Sequence, residues 1–179
     1  MKGDMNERLL KLGFSYFVLA RSAVFLGFMP NSGNLYHLAF ELLLKTVLSK
    51  DYASYELKCK YGHNLKKMWR DFKKFKGINE TEFDLSVKNL DKFEPIRYLE
   101  HPNKKGIGLT VDFGDFKSKF KSSKEYPSEY YVFNFDEMDK LLNFVIKKSS
   151  INPNFIKSYF MKKEAKEMYE RENKYSILS

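Results

Sequence analysis

Residues 34–49 read Asn34-Leu35-Tyr36-His37-Leu38-Ala39-Phe40-Glu41-Leu42-Leu43-Leu44-Lys45-Thr46-Val47-Leu48-Ser49, and their spacing decides the fold class. Leu35, Leu38, Ala39, Leu42 and Thr46 recur at helical steps, and Phe40, Leu44 and Val47 widen the apolar arc. A helix apolar around most of its circumference belongs in the centre of a bundle. Asn34, His37, Glu41 and Lys45 form its one polar stripe, at successive steps of three or four. The plain reading of that stripe is a wet edge. Glu41 precedes Lys45 by four residues, the favourable order for an exposed ion pair worth a few tenths of a kcal/mol.

The pattern extends in both directions. A first helix is expected from about Met5 to Gly27, with Leu9, Leu12, Tyr16, Ala20 and Ala23 in line and Leu10, Phe14, Phe17 and Val24 beside them. Gly27 and Pro30 end it, and Asn31-Ser32-Gly33-Asn34 makes the turn. The most apolar run, Leu12 to Met29, is broken by Arg21, and a membrane span wants ~20 apolar residues with few charges. A buried helix is expected there instead. Gly62 opens a third helix through about Phe75, with His63 or Asn64 near its cap. Its core face is Leu65, Met68, Trp69, Phe72 and Phe75, opposite Lys66, Lys67, Arg70, Lys73 and Lys74. Asn79 and Glu82 have capping-box spacing ahead of a fourth helix carrying Phe83, Val87 and Leu90, which ends before Pro95.

Between residues 96 and 135 the period changes. Leu109 to Phe113 and Tyr130 to Phe135 are β-prone, so the segment reads as an insertion, irregular or a small β-hairpin, with Lys117 to Lys124 between its arms. Asn134 and Glu137 again match a capping box, before a fifth helix with Met138, Leu141, Leu142 and Val145 on one face. Asn152-Pro153 starts a last helix over 153–173 that docks through Ile156, Tyr159 and Phe160 and frays beyond Met161. The expected fold is mainly α: an up-and-down bundle of at least five helices in one domain, 1–179. Leu9, Tyr16, Leu38, Leu42, Leu65, Trp69, Leu90, Leu141 and Val145 should share its core.

With 43% hydrophobic and 17% aromatic residues in 179, the chain has ample core material and does not read as disordered. Cys59 is the only cysteine, which excludes an intrachain disulfide. The acid at position 4 and the lack of a small-residue cleavage site argue against a secretory signal, so a cytoplasmic setting is expected. The net charge is +9, and eight cations from Lys58 to Lys76 stand against Asp71 alone, concentrating the excess. A localised basic patch attracts polyanions; its plain alternative is a solvated helix face.

The stretch Leu38 to Lys45 resembles the second helix of the HEPN family (higher eukaryotes and prokaryotes nucleotide-binding), with its apolar-Glu-apolar-Lys pattern. Tyr61-Gly62-His63-Asn64-Leu65 is similar to the Gly-His-Asp/Asn-Leu step that opens that family's next helix, and Phe93 to Tyr98 to the Arg-Tyr junction after its fourth. The resemblance covers roughly Met5 to Tyr98. It implies an up-and-down bundle that dimerises, in a family of toxin or defence ribonucleases, companions of nucleotidyltransferases in toxin-antitoxin pairs, and binders of nucleotides or proteins.

Family ribonucleases carry Arg, four to six intervening residues, then His, which suits metal-independent RNA cleavage: imidazole moves the 2′-hydroxyl proton and guanidinium steadies phosphate charge. None of the windows before His37, His63 or His101 holds an arginine. Arg97 and His101 are the near miss, with three residues between them and flanked by Pro95 and Pro102. Cys59 and His63 lack a second Cys/His pair for a metal, and Gly106-Ile107-Gly108 lacks the features of a phosphate loop. No cofactor or metal is expected. The expected function is a HEPN-like, non-catalytic module for nucleotide, RNA or a protein partner, contacting its ligand through His63, Lys66, Lys67, Arg70, Lys73 and Lys74. The alternatives are a diverged endoribonuclease using Arg97 and His101, and a pure protein-interaction module.

Overall fold

The computed structural model describes residues 2–97, 108–112, 130–149, 151–152, 156 and 163–176. Two long helices, α1 (Lys2–Phe25) and α2 (Met29–Leu48), form its spine. Asn6 meets Ser49, Gly13 lies against Ala39 and Leu43, and Phe17 packs on Phe40, so the two helices run antiparallel. Gly13 permits the close approach: a Cβ there would sit 3.0 Å from Leu43 Cγ and 3.2 Å from the Ala39 carbonyl oxygen. Pro30 lies in the first turn of α2, where its missing N–H costs no intrahelical bond. The Asn31-Ser32-Gly33-Asn34 cluster expected as a turn is therefore helical. Gly33 is needed for space, since a Cβ would meet the Phe93 ring at 2.1 Å.

Three shorter helices follow. The sequence reading missed α3 (Ser54–Tyr61), whose pattern is short and nearly polar. Its end makes Gly62 a C-cap, with φ 53°, rather than the opening of the next helix. Asn64 caps α4 (Leu65–Lys76), accepting the Lys67 N–H at 2.8 Å. Gly77 closes α4 in the left-handed conformation. α5 (Asp84–Asp91) begins without the expected Asn79–Glu82 cap, Phe83 standing at the N-cap position with no side-chain bond.

A short 3-10 turn, Glu94–Arg97, precedes β1 (Gly108–Asp112), which pairs with β2 (Tyr130–Asn134). The pairing is parallel, Gly108 opposite Tyr130 and Asp112 opposite Asn134, so the insertion is not a hairpin. Parallel strands need a long crossover rather than a tight turn, and 113–129 supplies that length. Lys117 to Lys124 lie outside the described residues. Tyr131 and Phe133 of β2 reach the core, against Phe93 and Tyr36.

The expected cap is present at α6 (Phe135–Ser149), where Asn134 Oδ1 accepts the Glu137 N–H at 2.9 Å. Beyond Met161, α7 (Lys163–Glu170) is docked rather than frayed: Tyr169 is buried against Phe14 and Phe17. Of the docking residues expected before it, Ile156 is buried, while Tyr159 and Phe160 lie outside the described residues. The architecture is a mainly α-helical bundle, and no helix among the described residues is long and apolar enough to cross a membrane.

The core runs from α1 through α6, with Leu65, Trp69, Leu90, Leu141 and Val145 in it as expected. Leu9, Tyr16, Leu38 and Leu42 are only half-buried. The buried side of α2 is rotated from the expected line and centres on Tyr36, Phe40, Leu43 and Val47. Phe75 is also half-exposed, because the α4 core face ends at Phe72.

Candidate functional site

The rotation of α2 carries its polar stripe inward. His37 is 0% and Glu41 3% exposed, so the stripe is a buried network and not a wet edge. Glu41 accepts from Lys45 Nζ at 2.7 Å and from His63 Nδ1 at 3.0 Å, and His37 Nε2 lies 3.6 Å from it. Lys45 also donates to the Gly62 carbonyl at 2.8 Å. The His37 ring nitrogens face the Leu90 carbonyl at 3.2 Å and the His63 carbonyl at 3.1 Å. α2 thereby grips the α3–α4 turn at two consecutive carbonyls and α5 at one. Burial alone would raise the Glu41 carboxyl, but His37, Lys45 and His63 outweigh it and hold it down at about 2.

His63 is half-exposed at the rim of this network. A carboxylate only accepts, so Nδ1 is the donor in the Glu41 contact. The hollow beside it, about 350 Å³, is lined by Tyr61, His63, Asn64, Asp91, Glu94 and Pro95. Two carboxylates there work against an anionic ligand. Asp91 also accepts the Leu65 N–H at 2.7 Å and the Lys66 N–H at 3.3 Å, so the α4 N-terminus already holds the chain's own carboxylate.

The cations of α4 divide into two groups. Towards α5, Lys66 pairs with Asp91 at 3.0 Å and Lys73 with Asp84 at 2.6 Å, where Asp84 also accepts the Trp69 Nε1–H. Trp69 is thus core. Towards α3, Lys67 donates to the Lys60 carbonyl at 2.6 Å, Arg70 lies outermost beside Asp71, and Lys74 lines a second hollow. That hollow, about 280 Å³, is bounded by Leu48, Tyr52, Lys60, Asp71, Lys74 and Phe75. Lys60 donates to Tyr52 Oη at 2.7 Å and pairs with Asp71 at 3.2 Å, while Tyr61 Oη donates to Asp71 at 2.9 Å. Burial works against the Asp71 charge, but Tyr61, Lys60 and Arg70 outweigh it, so its carboxyl stays below the usual range.

Of the remaining sequence candidates, Arg97 ends the 3-10 turn and His101 lies outside the described residues. Cys59 is exposed. Sequence reasoning missed a second polar centre altogether. Arg21, 0% exposed, pairs with Asp139 of α6, donates to the Arg171 carbonyl and stands 4.5 Å over the Phe135 ring. The one available signal was an arginine inside an apolar helix. Compared with known protein families, curated proteins and solved structures, the chain matches none of them.

Proposed function

We propose that this chain is a non-catalytic, HEPN-like binding module whose α3–α4 face holds a phosphate-bearing ligand, a nucleotide or RNA. The observation that carries the reading is the placement of Lys67, Arg70 and Lys74 of α4 beside α3, where Lys58 and Lys60 add to the same positive field. His63, Lys66 and Lys73 belong to the proposal as flanking contacts, paired with Glu41, Asp91 and Asp84; Arg70 pairs with Asp71 but is more exposed than any of them. The HEPN-like identity rests on the order of motifs: the Glu41 and Lys45 helix, the Gly62-His63-Asn64-Leu65 step, and a helical bundle around them. A toxin-antitoxin or defence context and a nucleotidyltransferase-type partner follow from that identity alone, and a cytoplasmic setting is proposed with them.

A second reading, a protein-interaction module that forms a homodimer or takes a protein partner, is favoured by one feature. Leu12 and Leu19 stand exposed at a seven-residue step along α1, with Leu26 and Phe28 exposed just beyond its end.

The test is binding of single-stranded RNA across a salt series. The comparison is with a variant in which Lys67, Arg70 and Lys74 are changed to Gln, leaving Lys66 and Lys73 to hold α5. The logarithmic salt slope should fall by about 0.7 for each phosphate contact removed. Equal slopes would make the face an ordinary solvated one and put the interaction module first. The RNA should be recovered intact from metal-free buffer. Cleavage abolished by both Arg97→Ala and His101→Ala would replace this reading with the ribonuclease.

A further inference from the structure

We infer that the hollow between α3 and α4 is a base-stacking subsite, which makes single-stranded nucleic acid, rather than polyanions in general, the ligand of the basic face. The inference rests on the binding reading above and adds its substrate class. Two aromatic side chains, Phe75 and Tyr52, line this hollow, and Tyr55 is exposed elsewhere on α3. Phe75 is 47% and Tyr55 76% exposed, and Tyr52 is half-buried in the wall of the hollow. Folding buries Trp69 and Phe72 one turn away on the same helix, so leaving Phe75 in water forgoes apolar burial that a ligand could recover.

The cations are interleaved with these rings. Lys60 Nζ lies 4.0 Å from the Tyr52 ring centroid and 5.0 Å from that of Tyr61, which fixes Tyr52 in place. Lys74 borders the hollow next to Phe75. Asp71, the acid of the hollow, is taken up by Tyr61, Lys60 and Arg70. A bare polyphosphate would use the cations and leave Phe75 wet. An apolar peptide would cover Phe75 and strand the cations. An unpaired nucleobase beside its own phosphates answers both, and a duplex cannot, because its base faces are already stacked.

The test is fluorescence anisotropy at one fixed salt concentration with three probes: a short oligouridine, an abasic strand of the same length, and inorganic polyphosphate. Oligouridine should bind about fivefold or more tighter than the abasic strand, the lower end of what one base stack contributes. Phe75→Ala should erase that preference and leave polyphosphate binding unchanged, and Phe75→Tyr should restore it. Equal binding of oligouridine and the abasic strand would overturn the stacking subsite alone, as would a Phe75→Ala loss shared by all three probes. No binding of any probe would sink the basic-face reading itself, and the subsite with it.

Discussion

Glu41→Gln is the most informative single change, because it removes a charge and almost no volume from the buried network. Glutamine keeps one acceptor oxygen, so Lys45 loses its counter-charge while the network keeps its packing. Holding the carboxyl down from 4.5 to about 2 corresponds to about 3 kcal/mol of stability at neutral pH, at about 1.4 kcal/mol per tenfold change in proton affinity. The sign follows from which state binds protons first. As pH falls below 4.5 the unfolded glutamate protonates while the folded one does not, so this stabilisation is complete above 4.5 and drains away towards pH 2. Urea unfolding of both proteins should therefore show a gap of about 3 kcal/mol at neutral pH that shrinks to about half by pH 3. The melting temperature should drop by about 6–12 °C at neutral pH. A gap below about 1 kcal/mol at pH 7, or one just as large at pH 3, would refute the claim that Glu41 is held ionised by its neighbours.

Tyr169→Ala should cost about 3 kcal/mol, the usual toll of an aromatic removed from a core, and should release the amides of α7 in hydrogen exchange before those of α2. Unchanged α7 protection would mean that Tyr169 does not dock that helix. Gly33→Ala should destabilise by about 1–3 kcal/mol despite the better helix propensity of alanine, because its methyl group collides with the Phe93 ring. A neutral or stabilising result in thermal unfolding would show that Phe93 has room to move.

How far the amino-acid pattern reaches can be judged from particular residues. Helical periodicity is a local property, so α1, α2, α4 and α6 could be read from the apolar steps at Leu10, Phe40, Leu65 and Leu141. Caps are equally local: Asn64 and Asn134 accept amides three residues on, within their own turn. Where two signals competed, the reading failed. Asn31-Ser32-Gly33-Asn34 has turn composition, yet Pro30 starts a helix through it and Phe93, sixty residues away, requires the glycine. The parallel pairing of β1 and β2 was equally illegible, because a strand's neighbour is a non-local fact.

The candidate site divides along the same line. Helical spacing alone puts Lys66, Lys67, Arg70, Lys73 and Lys74 opposite Leu65, Met68, Trp69 and Phe72, because that follows from 3.6 residues per turn. Only the tertiary structure decided which of those cations are taken: Asp84 and Asp91 come from α5 to hold Lys73 and Lys66, while Lys67 turns to the Lys60 carbonyl, Arg70 pairs with Asp71 and Lys74 borders the hollow with Phe75. It also decided that His37 and Glu41 are buried. A helix apolar nearly all round can turn either side to the core, and its own sequence cannot choose between them. The choice depends on residues far along the chain: Lys45 donates to the Gly62 carbonyl, and the His37 ring lies between the carbonyls of His63 and Leu90.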